Sequence, residues 1–116
     1  MNQEELKTRT KKFGLRIIKL VDFLPNRKIG DVIGRQILRS ATSVGANYRA
    51  ACRSRSKAEF ISKINIVLEE ADETLYWLEL IEESELINKE KLADLTVEAK
   101  ELVAIFVTTL KSLKNK

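Results

Sequence analysis

Apolar side chains recur at three- and four-residue intervals through almost the whole chain, and the one proline, Pro25, falls between two such runs. This pattern constrains the fold more than any other feature. An apolar stripe with a 3.6-residue period belongs to a helix whose buried face another element must cover. Four glycines and one proline in 116 residues leave little to interrupt helices. The abundant Leu, Ile, Glu, Lys and Arg all favour them.

The first helix is expected from about Gln3 to Leu24, with Leu6, Phe13, Ile17, Leu20, Val21 and Leu24 on one face. Pro25 stops it, because the residue before a proline avoids the α region. After a short connection, the second helix is expected from Gly30 or Asp31 to Arg53, with Asp31 as N-cap or first-turn acid. Gly45 lies within it, at a cost of about 1 kcal/mol relative to Ala, which suits close approach by a neighbouring helix. The third starts near Ser56, where Ser56-Lys57-Ala58-Glu59 matches a capping box. Its stripe is Phe60, Ile64, Val67, Leu68, Ala71, Leu75, Leu78 and Ile81, ending near Glu83. The fourth starts at Asn88 as N-cap, with Ile87 and Leu92 spaced as a hydrophobic staple. Leu92, Leu95, Ala99, Leu102, Phe106 and Leu113 hold a seven-residue rhythm, and Lys114 to Lys116 are expected to fray. Similar lengths and short links predict an all-α protein, one antiparallel up-down-up-down four-helix bundle domain over residues 1–116.

The charge is unevenly spread. Residues 1–63 carry 15 Lys and Arg against 5 Asp and Glu, a balance of +10; residues 64–116 carry 6 against 12, a balance of −6, so the chain totals +4. The basic half is a candidate for binding polyanions, or it complements the acidic half within one molecule or between subunits.

The second helix has three faces where a simple bundle needs two. At about 100° per residue, Ile33, Ile37, Ala41, Val44 and Tyr48 form the core face. Gln36, Ser40, Ser43 and Asn47 lie to one side. Arg35, Arg39, Thr42, Ala46, Arg49 and Arg53 lie near the opposite pole. Guanidinium groups spaced a turn or two apart suit phosphate oxygens, and Thr42 and Ala46 keep the centre of that stripe low. Arg35, Arg39, Arg49 and Arg53, with Arg55 and Lys57 just beyond, are therefore the candidate nucleic-acid contacts; the alternative is a solvated face or one paired with the acidic third helix of another copy. Ser and Asn are mediocre helix formers, so the Gln36, Ser40, Ser43, Asn47 row reads as an interhelical or intersubunit seam.

No catalytic constellation is found. The chain has no histidine and one cysteine, Cys52, so neither a Ser-His or Cys-His pair nor a zinc site is expected. Gly30, Gly34 and Gly45 fit no phosphate-loop spacing. Glu69 and Glu73 stand one turn apart on the third helix, where a magnesium site is conceivable and a solvated acidic face is the ordinary reading. Trp77, beside them, reads as a packing or interface residue. No enzyme activity, catalytic residue, metal, cofactor or small-molecule substrate is expected. There is no run of about 18 uncharged apolar residues and no apolar leader near Met1, so a cytoplasmic protein without membrane association is expected.

The run Gln36-Ile-Leu-Arg39-Ser40-Ala41-Thr42-Ser43-Val44-Gly45-Ala46-Asn47-Tyr48-Arg49-Ala50-Ala51 resembles the signature of the small bacterial four-helix bundle proteins encoded by intervening sequences in 23S ribosomal RNA genes. Ser56-Lys57-Ala58-Glu59-Phe60-Ile61 and Glu69-Glu70-Ala71-Asp72-Glu73-Thr74-Leu75-Tyr76-Trp77-Leu78-Glu79-Leu80 resemble it too. The chain departs at Ala50, where many members carry an acid. The resemblance implies a left-handed bundle and a cyclic homo-oligomer, typically a pentamer. A related accessory protein of diversity-generating retroelements shares the fold and works with nucleic acid. Binding of RNA or DNA by an oligomer is therefore the functional expectation, RNA before DNA. A protein-protein assembly or adaptor module with no nucleic-acid ligand is the alternative.

Overall fold

The first helix, α1 (Gln3–Leu20), begins where the Asn2 side chain accepts a hydrogen bond from the Glu5 amide at 2.8 Å. Glu4 and Glu5 sit in its first turn, where the helix dipole favours anions. In the computed structural model, which describes residues 1–115, α1 gives way to a 3-10 turn at Val21–Phe23, and Leu24 is extended. The α conformation thus stops four residues short of the expected Leu24. Pro25 imposes the extended residue as expected, and the chain tightens into 3-10 geometry on its approach.

The second helix, α2 (Lys28–Ala51), starts before the expected Gly30 or Asp31. Arg27 is its N-cap with no capping side chain, and the Asp31 amide donates to the Arg27 carbonyl at 3.0 Å. Asp31 is a first-turn acid. The helix also ends early: the Arg53 and Ser54 amides bond the Ala50 and Ala51 carbonyls as a turn, so Arg53 lies beyond it.

The third helix, α3 (Lys57–Glu83), is capped by Ser56, whose Oγ accepts from the Glu59 amide at 3.1 Å. The return arm of the expected capping box shifts by one residue, since the Glu59 carboxylate accepts from the Arg55 amide at 3.4 Å. At its other end the Leu86 amide bonds the Ile81 carbonyl and the Glu85 amide bonds the Glu82 carbonyl, the pattern of a Schellman motif. Glu85 holds the left-handed position at φ 60°, where a side chain costs about 1–2 kcal/mol. Glu85→Gly is therefore expected to stabilise the protein by about 0.5–1 kcal/mol after the entropy of the more flexible unfolded chain is subtracted. Urea unfolding midpoints at unchanged m-value are the check.

The fourth helix, α4 (Lys89–Lys114), starts after Asn88. Asn88 occupies the cap position without a side-chain capping bond, while Ile87 and Leu92 are both buried, as a staple requires. Leu110 takes the buried place expected for Leu113, which is half-buried. The interior stripe thus keeps a 3–4 spacing rather than stepping a full seven residues. Lys114 is helical; of the residues expected to fray, Lys116 lies outside the described residues.

The protein is all-α, with four helices and no strand among the described residues, and all four contribute to one continuous apolar cluster. Ile17, Ile37, Ile64, Leu78, Leu102 and Phe106 are fully buried in it, and the Tyr48 ring lies 5.6 Å from that of Phe106. α2 packs on α3, α3 on α4 and α1 on α2, while α1 and α4 touch sparsely. An ionic clamp joins that last pair: Arg9 donates to both Glu98 oxygens at 2.7 Å and to Glu101 at 2.8 Å. Backbones approach where side chains are smallest. A Cβ on Gly45 would lie 3.4 Å from the Thr10 carbonyl, and one on Gly14 would lie 3.8 Å from the Ala41 carbonyl oxygen, as the mid-helix Gly45 led us to expect. The molecule measures 47 × 20 × 19 Å. Among the described residues, no helix is long and apolar enough to cross a membrane.

Candidate functional site

The three faces of α2 meet three different surroundings. Ile33, Ile37, Ala41, Val44 and Tyr48 are all buried, as their spacing predicts. On the polar side, Ser40 is 0% exposed and its Oγ lies 2.9 Å from Thr74 Oγ1 of α3. Ile37 and Glu70 carbonyls accept from this hydroxyl pair at 3.3 and 2.8 Å, so neither buried hydroxyl lacks a partner. At Ser40 the row is therefore an interhelical seam within one chain. Gln36, Ser43 and Asn47 are half-buried beside it, and the Asn47 amide donates to the Ser43 carbonyl at 2.9 Å. Thr74 was missed as Ser40's partner. Its signal is faint: a small hydroxyl residue at a core position between Ala71 and Leu78.

On the basic side the arginines separate. Arg39 leans toward α3, donating to Glu70 at 2.9 Å and also to Glu73. Glu73 in turn accepts from Trp77 Nε1 at 3.1 Å. Pairing with the acidic third helix occurs, then, within the molecule, and it commits Arg39. The Trp77 hydrogen bond and then the Arg39 charge hold the Glu73 carboxyl below its ordinary range, against the opposing effect of burial. A carboxyl depressed in the folded state contributes stability that is complete where an unfolded glutamate is ionised. It is lost as pH falls below about 4.3 and through the folded value. Glu73→Gln should accordingly lower the melting temperature most in the neutral region and converge with wild type in acid, which flattens the acid limb of the profile. An unchanged acid limb would show that Glu73 contributes nothing there.

Arg35 and Arg49 are exposed on α2; Arg53 and Arg55 lie in the link to α3, and Lys57 is the first residue of α3. The expected stripe along one helix is therefore an end cluster, Arg49, Arg53, Arg55 and Lys57, with Arg35 about 21 Å up α2. Among the described residues none of these five makes an ion pair. Lys7 and Lys11 of α1 line a groove of about 390 Å³ with Arg49. They were missed as well, although their four-residue spacing places them on one face. Thr42 and Ala46 help to line it, with Gly14 and Gly45, which fits the low centre read from the sequence. On the acidic side Glu73 is committed to Arg39 and Trp77, and among the described residues no three His, Cys, Asp or Glu side chains converge to hold a metal.

Fold and surface together define an all-helical bundle protein with a segregated cationic end and a committed acidic flank. The chain belongs to the 23S rRNA-intervening sequence protein family, whose pattern matches residues 3–108. It is similar to a crystal structure of a protein of unknown function from the S23 ribosomal protein family of Bacteroides thetaiotaomicron VPI-5482. The two are 41% identical, with a TM-score of 0.84, over 90% of this chain and 97% of that one. A comparison with curated proteins finds no match.

Proposed function

We propose that this protein binds RNA, in preference to DNA, through phosphate contacts from its cationic end, as a homo-oligomer and without catalysing a reaction. The observation that carries the reading is that Arg35, Arg49, Arg53, Arg55 and Lys57 are exposed and unpaired among the described residues, whereas Arg9 and Arg39 are held by carboxylates. Free guanidinium groups are available to phosphate oxygens; clamped ones are not. The description of the family by an rRNA intervening sequence favours RNA as the polyanion.

The same reading takes the chain as one antiparallel, left-handed up-down-up-down bundle domain over residues 1–116, working in the cytoplasm. The pairing of Gly14 with Ala41 and of Gly45 with Thr10, in opposite chain directions, supports the antiparallel arrangement. A cyclic pentamer would repeat the cationic end around a ring and multiply its phosphate contacts. Filter binding across a salt series tests the function: retention of RNA that falls steeply with salt is expected. No retention of RNA or DNA even at low salt would end the proposal. Light scattering that returned a monomer would remove its oligomeric part.

A further inference from the structure

The groove between α1 and α2 is more apolar than phosphate binding requires. Leu15 and Ile18, neighbours on one face of α1, are 51% and 46% exposed and form part of its wall. Among the described residues, Lys7, Lys11 and Arg49 are the charged ones that line it, and no carboxylate does. Along α1 the two kinds of residue are separated: cations toward Lys7, aliphatics toward Ile18. The floor is low, because Gly45 and Ala46 offer almost no side chain. From Lys7 to Ile18 the groove runs about 16 Å, three turns of a helix.

We propose that this groove seats an acidic amphipathic α-helix of a partner protein. A low floor between two helices lets a third come within the usual interaxial distance of about 8–10 Å. Apolar anchors at three- and four-residue spacing would cover Leu15 and Ile18, as in other helix-in-groove recognition. The cationic end selects carboxylates on the incoming helix and disfavours lysines, so charge decides both choice and direction of the occupant. Lys7 already meets Glu4 at 3.0 Å, but that exposed pair is weak and leaves Lys11 and Arg49 to the partner. A nucleic-acid backbone would satisfy the cations and leave the two aliphatics in water. The inference does not rest on RNA binding, since Arg53, Arg55 and Lys57 lie outside the groove.

The probe is a fluorescein-labelled synthetic helix of about 14 residues, with leucines at helical spacing and glutamates on its flanks. Two controls carry lysine for glutamate, or the same residues scrambled. Fluorescence anisotropy with the full chain should show saturable binding of the acidic helix, with both controls weaker by about tenfold or more. Ala46→Glu raises the floor and places a like charge there. It should cost the acidic helix about tenfold or more, with the helical circular dichroism and melting temperature kept. Absence of saturation with the acidic helix, equal binding of either control, or full binding by the folded Ala46→Glu variant would each overturn the proposal. Loss of RNA retention by Ala46→Glu without any peptide binding would also overturn it, and would assign the groove to the nucleic acid.

Discussion

The variant with glutamine at Arg35, Arg49, Arg53 and Arg55 is expected to lose RNA affinity by about a hundredfold or more at low salt. Each phosphate contact removed also flattens the dependence of log K on log salt by about 0.7 to 0.9. A slope shallower by roughly 3 is therefore the signature of four lost contacts. The loss should be similar across RNA sequences, because phosphate contacts position a protein without reading bases. Arg39→Gln is the control that separates this site from general loss of charge. Its guanidinium is already shared between Glu70 and Glu73, so removing it should leave affinity within about twofold while weakening the junction of α2 with α3. If Arg39→Gln weakened RNA binding as much as any of the other four, net charge would be the determinant and the end cluster would have no special role. Wild-type affinity in the fourfold variant would place the nucleic-acid surface elsewhere.

Gly30→Ala should be the most damaging single methyl group in the chain. A Cβ at Gly30 would stand 1.9 Å from the Pro25 carbonyl oxygen and 3.0 Å from its carbon. These are backbone atoms, so no rotamer change relieves the overlap, and the whole link between α1 and α2 has to move. Overpacking of this kind costs about 3 kcal/mol, roughly 10 °C or more in melting temperature for a chain of this size. Gly34→Ala, one turn later, is the contrast. There the new methyl group would meet Leu24 Cδ1 at 3.5 Å, an ordinary contact with a flexible side chain. Replacing glycine by alanine inside a helix then contributes about 0.5–1 kcal/mol. Opposite signs from the same substitution four residues apart are expected in thermal melts. A Gly30→Ala protein as stable as wild type would mean that the link relaxes freely.

Much of the fold is legible because its signals are local. The burial of Ile37, Ala41, Val44 and Tyr48 follows from spacing alone, and the cap at Ser56 and the break at Pro25 depend on residues within one turn of themselves. The starts and stops that the sequence does not reveal are those without a side-chain marker. α2 begins after Arg27 with no capping side chain and ends at Ala51 in a turn of backbone bonds. Moving that end by two residues takes Arg53 off the helix and turns a stripe into an end cluster.

The candidate site divides along the same line. That the first half of the chain is basic, that α2 carries three distinct faces, and that Thr42 and Ala46 leave its outer surface low are properties of residue order, because helical period converts order into direction. Which cations remain available is a property of neighbours far away in the chain. Arg39 and Arg35 look alike on one helix, yet Arg39 meets Glu70 and Glu73, more than 30 positions on, and Arg35 meets no described carboxylate. Lys7 and Lys11 join Arg49 only because α1 lies against α2, and Gly30 is indispensable only because Pro25 folds back over it. Period and capping act over one turn of helix, so the sequence by itself determined the helices and their faces. Ion pairing and steric overlap act over a few ångströms of space, and only the packing of the four helices decided which residues those few ångströms bring together.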